Sequence, residues 1–278
     1  MSPFIMPATT LYMAPAAVAR TLGITGECLG ISTACASGAH AIGEAYRQIR
    51  SGMARRAVAG GTEAPLCRTC FEGYGSAGAL SSALTPPASR PFDKQRDGFV
   101  LAEGASMIVL ENYAEAVRRN AHIYAEIIAY ANITDAHHMT RPHVPTQILA
   151  INRALEDASR LHSDIDCISA HGTSTPIGDA AESEAIHTAF GGRPVPVTAI
   201  KSMTGHMLAA SAAFEVACVA MALHKQTIPP TINLSDQDPQ CNISLVTGRP
   251  LSSAANYAMT QSFGFGGSNA VLILKRYT

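Results

Sequence analysis

With 278 residues, 47% of them hydrophobic and only 15% charged, the chain is long enough to bury one large core or two smaller ones. A net charge of −1 provides no bulk field for nucleic acid or an anionic membrane, and no Trp with 6% aromatics argues against an aromatic binding cage. Seven scattered cysteines read as reduced thiols rather than a disulfide framework, no apolar run reaches the roughly 18 residues of a membrane span, and the first residues lack a basic, then apolar leader, so a cytoplasmic protein is expected.

In chain order, residues 10–22 are apolar and Ala-rich, consistent with a helix, and 27–33 read as a short buried strand. Helical spacing of Ala39, Ile42, Ala45, Tyr46 and Ile49 predicts a helix over 36–50, with Gly52 as its stop. A strand is expected at 56–59, ending in Gly60-Gly61-Thr62-Glu63. The Ser-, Pro-, Asp- and Arg-rich stretch 81–99 reads as a surface loop. A strand at 104–111, a short helix at 113–119 and a strand at 123–131 follow, then a loop over 134–145 and a helix over 147–159. Strands at 165–170 and 195–199 bracket a helix at 180–190. An Ala-rich helix at 209–224 should be buried on most of its surface, and strands at 257–262 and 270–275 flank a Gly-rich turn. Strands alternating with helices point to α/β layers.

Four stretches carry chemistry. In Ile31-Ser-Thr-Ala-Cys35-Ala-Ser-Gly38 a cysteine stands at a strand-to-helix junction, where free N–H groups and the helix dipole favour thiolate. The alternative is a small buried cysteine in an Ala/Gly packing contact. In Ala170-His171-Gly172-Thr173-Ser174-Thr175 a histidine ends a strand and can project into a cleft as hydrogen-bond donor or acid/base, or simply cap the strand; the two threonines suit an extended amide-bearing ligand or a turn. In Lys201-Ser-Met-Thr-Gly205-His206 a lysine and a histidine precede the long apolar helix, whose positive end favours neutral imidazole, and Glu215 on that helix is a potential partner for Lys201. Glycines at 264, 266 and 267 within Ser262–Asn269 permit close backbone approach, fit for an oxyanion hole or for a tight turn; leading into a strand, they are not a dinucleotide fingerprint. The Cys67-Arg-Thr-Cys70 pair has no second CxxC, and His137, His138 and His143 lack a carboxylate-rich partner set, so neither reads as a metal site.

Together and in this order these stretches resemble the β-ketoacyl-acyl-carrier-protein synthases, in particular the type II elongating enzymes similar to ketoacyl synthase II. The resemblance rests on STACASG around Cys35, AGGTE at 59–63, ASRPFDKQRDGFVLAEGA at 88–105, DAHHMTRP at 135–142, AHGTSTPIGDAAESEA at 170–185, KSMTGH at 201–206, IPPTINL at 228–234 and SFGFGGSNA at 262–270, nearly end to end. It implies the thiolase-like fold, layered α-β-α-β-α, with residues 1–121 as an incomplete N-terminal half carrying the nucleophile and 122–278 as the C-terminal half. It implies Cys35 as acyl acceptor, His171 and His206 as the decarboxylation pair, Lys201 in support and paired with Glu215, and the N–H groups of Cys35 and Phe265 as oxyanion hole. Phe265 aligns with a gating phenylalanine, beside Phe263 and Gly264, and Thr173, Thr175 and Thr140 fall at the substrate. The reaction needs no metal or redox cofactor, since phosphopantetheine arrives on the acyl carrier protein. A homodimer or heterodimer is expected, and roughly the N-terminal third of the family's usual length is expected to be missing, as a truncation or a separate fragment.

Three departures accompany the resemblance: Gly78 where a basic carrier-docking residue is common, leaving Arg47, Arg50, Arg55, Arg56 or Arg68 for that role; a shortened loop after Thr140; and Ala209 and Ala212 where glycines are usual. A non-catalytic partner subunit is the competing reading, although such partners lose the nucleophile. A thiolase would carry a second cysteine in the Gly-rich C-terminal stretch, where GFGGSN has none.

Overall fold

The computed structural model describes residues 3–278; Met1 and Ser2, the start of the expected first half, lie outside them. Two short, solvent-exposed helices, α1 (Ile5–Ala8) and α2 (Met13–Leu22), lead in. The strand expected at 27–33 is not formed. These residues are mostly exposed, and beyond a single bridge between Thr33 and Cys35 they have no ladder partner among the described residues, so apolar character alone did not make a strand.

Helix α3 (Ser37–Arg50) ends at Ser51 with Gly52 in the left-handed region, as its sequence predicts. Strand β1 (Arg56–Glu63) runs straight through Gly60 and Gly61 and pairs antiparallel with β2 (Gly104–Glu111). The glycines are required there: a Cβ on Gly60 would stand 2.0 Å from the Ser106 carbonyl, and one on Gly61 2.3 Å from the Ala209 carbonyl. Helix α4 (Arg68–Ser76), not anticipated, begins after Cys67. Helix α5 (Tyr113–Arg118) is capped by Asn112, whose side chain accepts from the amides of Ala114 and Glu115.

The second sheet has six strands in the order β3-β10-β9-β4-β5-β7: β3 (Ala125–Thr134), β4 (Cys167–Ser169), β5 (Pro196–Thr198), β7 (Ser244–Leu245), β9 (Tyr257–Gly264) and β10 (Ser268–Arg276). Its β3-β10-β9 edge is antiparallel and the rest parallel. Short β6 (Thr227–Ile228) and β8 (Leu251–Ser252) pair separately. Period-two alternation on β10 assigns the faces. Val271 and Ile273 join α6 (Val144–Ala158) and α7 (Pro176–Ala189), whereas Ala270, Leu272 and Leu274 join α3 and α9 (Ala209–Lys225). The far side of α3 and α9 rests on β1 and β2. The layers are thus helix, six-stranded sheet, helix, two-stranded sheet, an α/β thiolase-like stack. The outward face of β1–β2, with Val58, Met107 and Val109 exposed, bears no further helical layer among the described residues.

The 81–99 stretch departs from its expectation as a surface loop. Phe92 and Asp93 are fully buried and Arg96 nearly so. Asp93 accepts from the amides of Gln95, Ser235 and Asp236, and Arg96 pairs with Asp238 while donating to the carbonyls of Thr175 and Pro176. Its polar residues are spent on internal backbone groups, which is how a turn-rich segment can be core. Helices α6 and α7 start earlier than expected because Pro145 and Pro176 occupy their first turns, where proline costs no hydrogen bond.

Candidate active site

Cys35 lies just before α3, following Ala34, a non-glycine residue with φ of 51°. That turn sets the thiol at the start of the helix, where Ala36, Ser37 and Gly38 are buried. The turn is held by Ser37, whose hydroxyl donates to the Ala34 carbonyl and accepts from the Thr33 amide.

His171 follows β4, and its backbone is pinned by a carboxylate the sequence reading did not assign. Glu182 on α7 accepts from the amides of His171 (2.6 Å) and Gly172 (2.8 Å). One turn earlier on α7, Asp179 accepts from the amides of Phe92 and Ser174. Both carboxylates are fully enclosed, and burial pushes Asp179 up to about 6 and Glu182 up to about 8 against the amides that favour their charged forms. Acidic residues three apart at the start of a helix were the available signal; their inward orientation was not legible.

His206 is stitched to the buried segment before β2: its amide donates to the Val100 carbonyl and its carbonyl accepts from Ala102. It precedes α9 through Leu208, a non-glycine residue with φ of 46°. Lys201 opens the short helix α8 (Lys201–Thr204) and is 1% exposed. Its Nζ donates to the His171 carbonyl at 2.6 Å, lies 3.3 Å from His171 Nδ1, and forms a close ion pair with Glu215 of α9. Burial raises the Glu215 carboxyl to about 7, with the lysine opposing the shift.

These elements bring Cys35 Sγ to 3.0 Å from His206 Nε2, and the His171 and His206 rings to 5.6 Å at an interplanar angle of 86°. One ligand-type atom from each of the three residues lies within 4.8 Å of the others. Burial, then the charge of Lys201, holds both imidazoles well below the usual histidine range, so they are neutral at neutral pH. Burial, rather than the helix end to which the sequence points, is the largest cause. The thiolate expected at Cys35 also needs correction. Burial pushes its thiol up to about 11, outweighing the Lys201 charge and the N–H groups of Phe265 and Cys35 that favour thiolate, so Cys35 rests as a thiol.

The β9–β10 hairpin closes the site. Gly264 has to be glycine, since a Cβ there would stand 2.6 Å from the Thr33 carbonyl and 3.4 Å from the Cys35 nitrogen. Phe265 sits at the hairpin tip, 39% exposed, and Gly266 and Gly267 follow with φ of 85° and 80°. Phe263 meets the His171 ring edge-on at 5.9 Å. Thr173 and Thr175 share a hydroxyl contact of 3.0 Å in the turn after His171. Thr140 is exposed in the 135–143 loop, its amide on His138 Nδ1, and among the described residues no hydrogen bond joins it to the triad. Its loop nonetheless abuts the hairpin: Gly266 donates to the Met139 carbonyl and Asp135 to that of Gly267.

Residues 1–116 match the family described as "Beta-ketoacyl synthase, N-terminal domain" and residues 124–235 that described as "Beta-ketoacyl synthase, C-terminal domain". The 3-oxoacyl-acyl-carrier-protein synthase 2 of Synechocystis sp. is 42% identical over 99% of this chain and 68% of its own length. That of Vibrio cholerae is 43% identical over 99% and 69%. Among solved structures, a type II polyketide-synthase acyl-carrier protein in complex with its ketosynthase bound to the hexaketide matches with a TM-score of 0.97 at 36% identity, covering 100% of this chain and 70% of that one. The ishigamide ketosynthase/chain length factor matches with a TM-score of 0.95 at 37% identity, covering 100% and 68%. With both family domains matched and these relatives covered over two thirds of their length, the chain belongs to the β-ketoacyl synthase family.

Proposed function

We propose that the chain condenses an acyl group held on Cys35 with a malonyl thioester on acyl carrier protein, elongating a fatty acid or polyketide chain by two carbons. The observation that carries this reading is the contact of Cys35 Sγ with His206 Nε2 at 3.0 Å, with His171 set perpendicular beside it. Cys35 sulfur attacks the acyl thioester, the acyl C–S bond to the carrier breaks, and the carrier thiol leaves with the proton. Malonyl thioester then loses CO₂, and the electron pair of the broken C–C bond becomes an enolate. His171 and His206, both neutral, donate to its oxygen, where preorganised donors are worth several kcal/mol (on the order of 3). The enolate carbon attacks the acyl-Cys35 carbonyl. The N–H groups of Cys35 and Phe265 hold the oxyanion, which collapses to expel the Cys35 thiolate, and a proton from solvent restores the thiol.

Lys201 and Glu215 support His171, while Thr173 and Thr175 contact the phosphopantetheine arm, and Thr140, Phe263 and Gly264 take part in binding the substrate. Phosphopantetheine enters with the substrate and no resident cofactor is part of the reaction. The first half, to residue 121, supplies the nucleophile and the second, from 122, the histidines. The carrier docks through basic residues of the first half, and the working enzyme is a homodimer or heterodimer. Among the named arginines, Arg47, Arg50, Arg56 and Arg68 already hold carboxylates of Glu44, Asp157, Glu111 and Glu72. A cytoplasmic setting is supported by seven free cysteines; among the described residues no helix is long and apolar enough to cross a membrane. The assembled triad favours catalysis over a non-catalytic partner role. Cys35→Ala is expected to abolish both acyl capture, read as a mass increase on the Cys35 peptide, and product formation. Condensation persisting in that variant would refute the reading.

A further inference from the structure

His206 acts as a donor only if Nε2 carries its hydrogen, so the tautomer of the ring matters as much as its position. Ser211, on the first turn of α9, is 2% exposed and its hydroxyl lies 3.1 Å from His206 Nδ1. The same oxygen accepts the Met207 amide at 2.8 Å. A serine hydroxyl has one hydrogen and two lone pairs. Met207 occupies one lone pair, and among the described residues Nδ1 is the sole acceptor within reach of the hydrogen. The opposite tautomer would direct two N–H groups at one oxygen and leave a buried hydroxyl hydrogen without an acceptor. His171 is arranged in parallel, with the Lys201 ammonium facing its Nδ1 at 3.3 Å.

We propose that Ser211 is a positioning residue that donates to His206 Nδ1, locks the Nε2–H tautomer, and so makes His206 a hydrogen-bond donor to the enolate rather than a base toward Cys35. This rests on the condensing reaction proposed above, in which His206 faces the malonyl thioester. Each histidine thus has its own donor at Nδ1, a lysine for His171 and a serine for His206.

The experiment compares wild type, Ser211→Ala and Ser211→Thr. Nitrogen NMR of histidine-labelled protein reads the His206 tautomer directly. Wild type and Ser211→Thr are expected to show one Nε2-protonated species, and Ser211→Ala a mixture. Condensation turnover of Ser211→Ala is expected to fall about tenfold, the worth of one buried hydrogen bond expressed as a rate. KM for either thioester and the rate of Cys35 acylation should be unchanged, since the loss is confined to the decarboxylation step. Melting temperature, followed in parallel, excludes a folding defect. An unaltered tautomer in Ser211→Ala, an unaltered turnover, or a folded Ser211→Thr as slow as Ser211→Ala would each overturn the proposal. If the wild type itself fails to condense, the parent reading fails, and the NMR measurement still decides what Ser211 does to the ring.

Discussion

At the scale of single residues, the site is governed by burial more than by formal charge. Cys35, His171, His206, Glu182 and Glu215 are all displaced toward their neutral forms, with desolvation the largest cause in each case. For Cys35 the sign is definite. A thiol raised to about 11 is almost wholly protonated at neutral pH, so its thiolate fraction grows tenfold with each pH unit until that value is approached. The alkylation rate of Cys35 by iodoacetamide, followed by peptide mass spectrometry, should therefore climb without a plateau between pH 7 and pH 9 (about a hundredfold). A plateau below pH 8 would mean that the helix start and Lys201 outweigh burial after all. Lys201 and Glu215 make the second residue-scale case. Glu215→Gln leaves a buried ammonium without its counter-charge, and breaking such a pair costs about 3–5 kcal/mol. Urea unfolding should report that loss, and His171 should lose its place because the same Nζ holds its carbonyl.

At the scale of elements, small residues set the distances between layers. Gly38 on α3 faces α9 so closely that a Cβ would stand 2.8 Å from both the Ala209 carbonyl and the Ala213 nitrogen. These are backbone atoms within packed helices and cannot swing aside. Gly38→Ala should destabilise the protein by about 1–3 kcal/mol, read from the urea midpoint. It should also slow acylation, because the start of α3 carries Cys35. Gly264→Ala acts on the other wall: its Cβ would press on the turn at Thr33 and Cys35. Acylation is expected to drop at least about tenfold, a fraction of what misplacing reacting groups by an ångström can cost. The far-ultraviolet circular dichroism should be retained, since β9 and β10 keep their register. Full activity in Gly264→Ala would show that the hairpin tip does not need to touch the Cys35 turn.

At the scale of the whole molecule, α9 and α3 are shared property. They form one face of the six-stranded sheet and the support of β1–β2, so the element that follows His206 also carries the strands after Cys35. Urea unfolding should accordingly proceed in a single transition, with the same midpoint whether followed by circular dichroism or by tyrosine fluorescence. Two separated transitions would indicate that the halves before and after residue 121 are independent folding units. The same sharing explains why Cys35 and His206, far apart in sequence, meet at 3.0 Å: each stands just before one of two helices that pack together in the middle layer.

The amino-acid sequence alone carries the α/β alternation, the long strands β2, β9 and β10, helices α3 and α9, and the motif residues that meet in the site. Those features depend on local signals: period-two and 3.6-residue patterning, glycines with positive φ, and reactive side chains at element ends. It misread 27–33 as a strand and 81–99 as a surface loop, because pairing partners and the destination of polar side chains are non-local. It is packing that turns Asp179 and Glu182 inward to hold the His171 turn, keeps Cys35 a thiol, and brings a serine in an Ala-rich helix to His206 Nδ1. Each of these depends on which groups are excluded from water together, and burial is a property of the packed chain rather than of any segment within it.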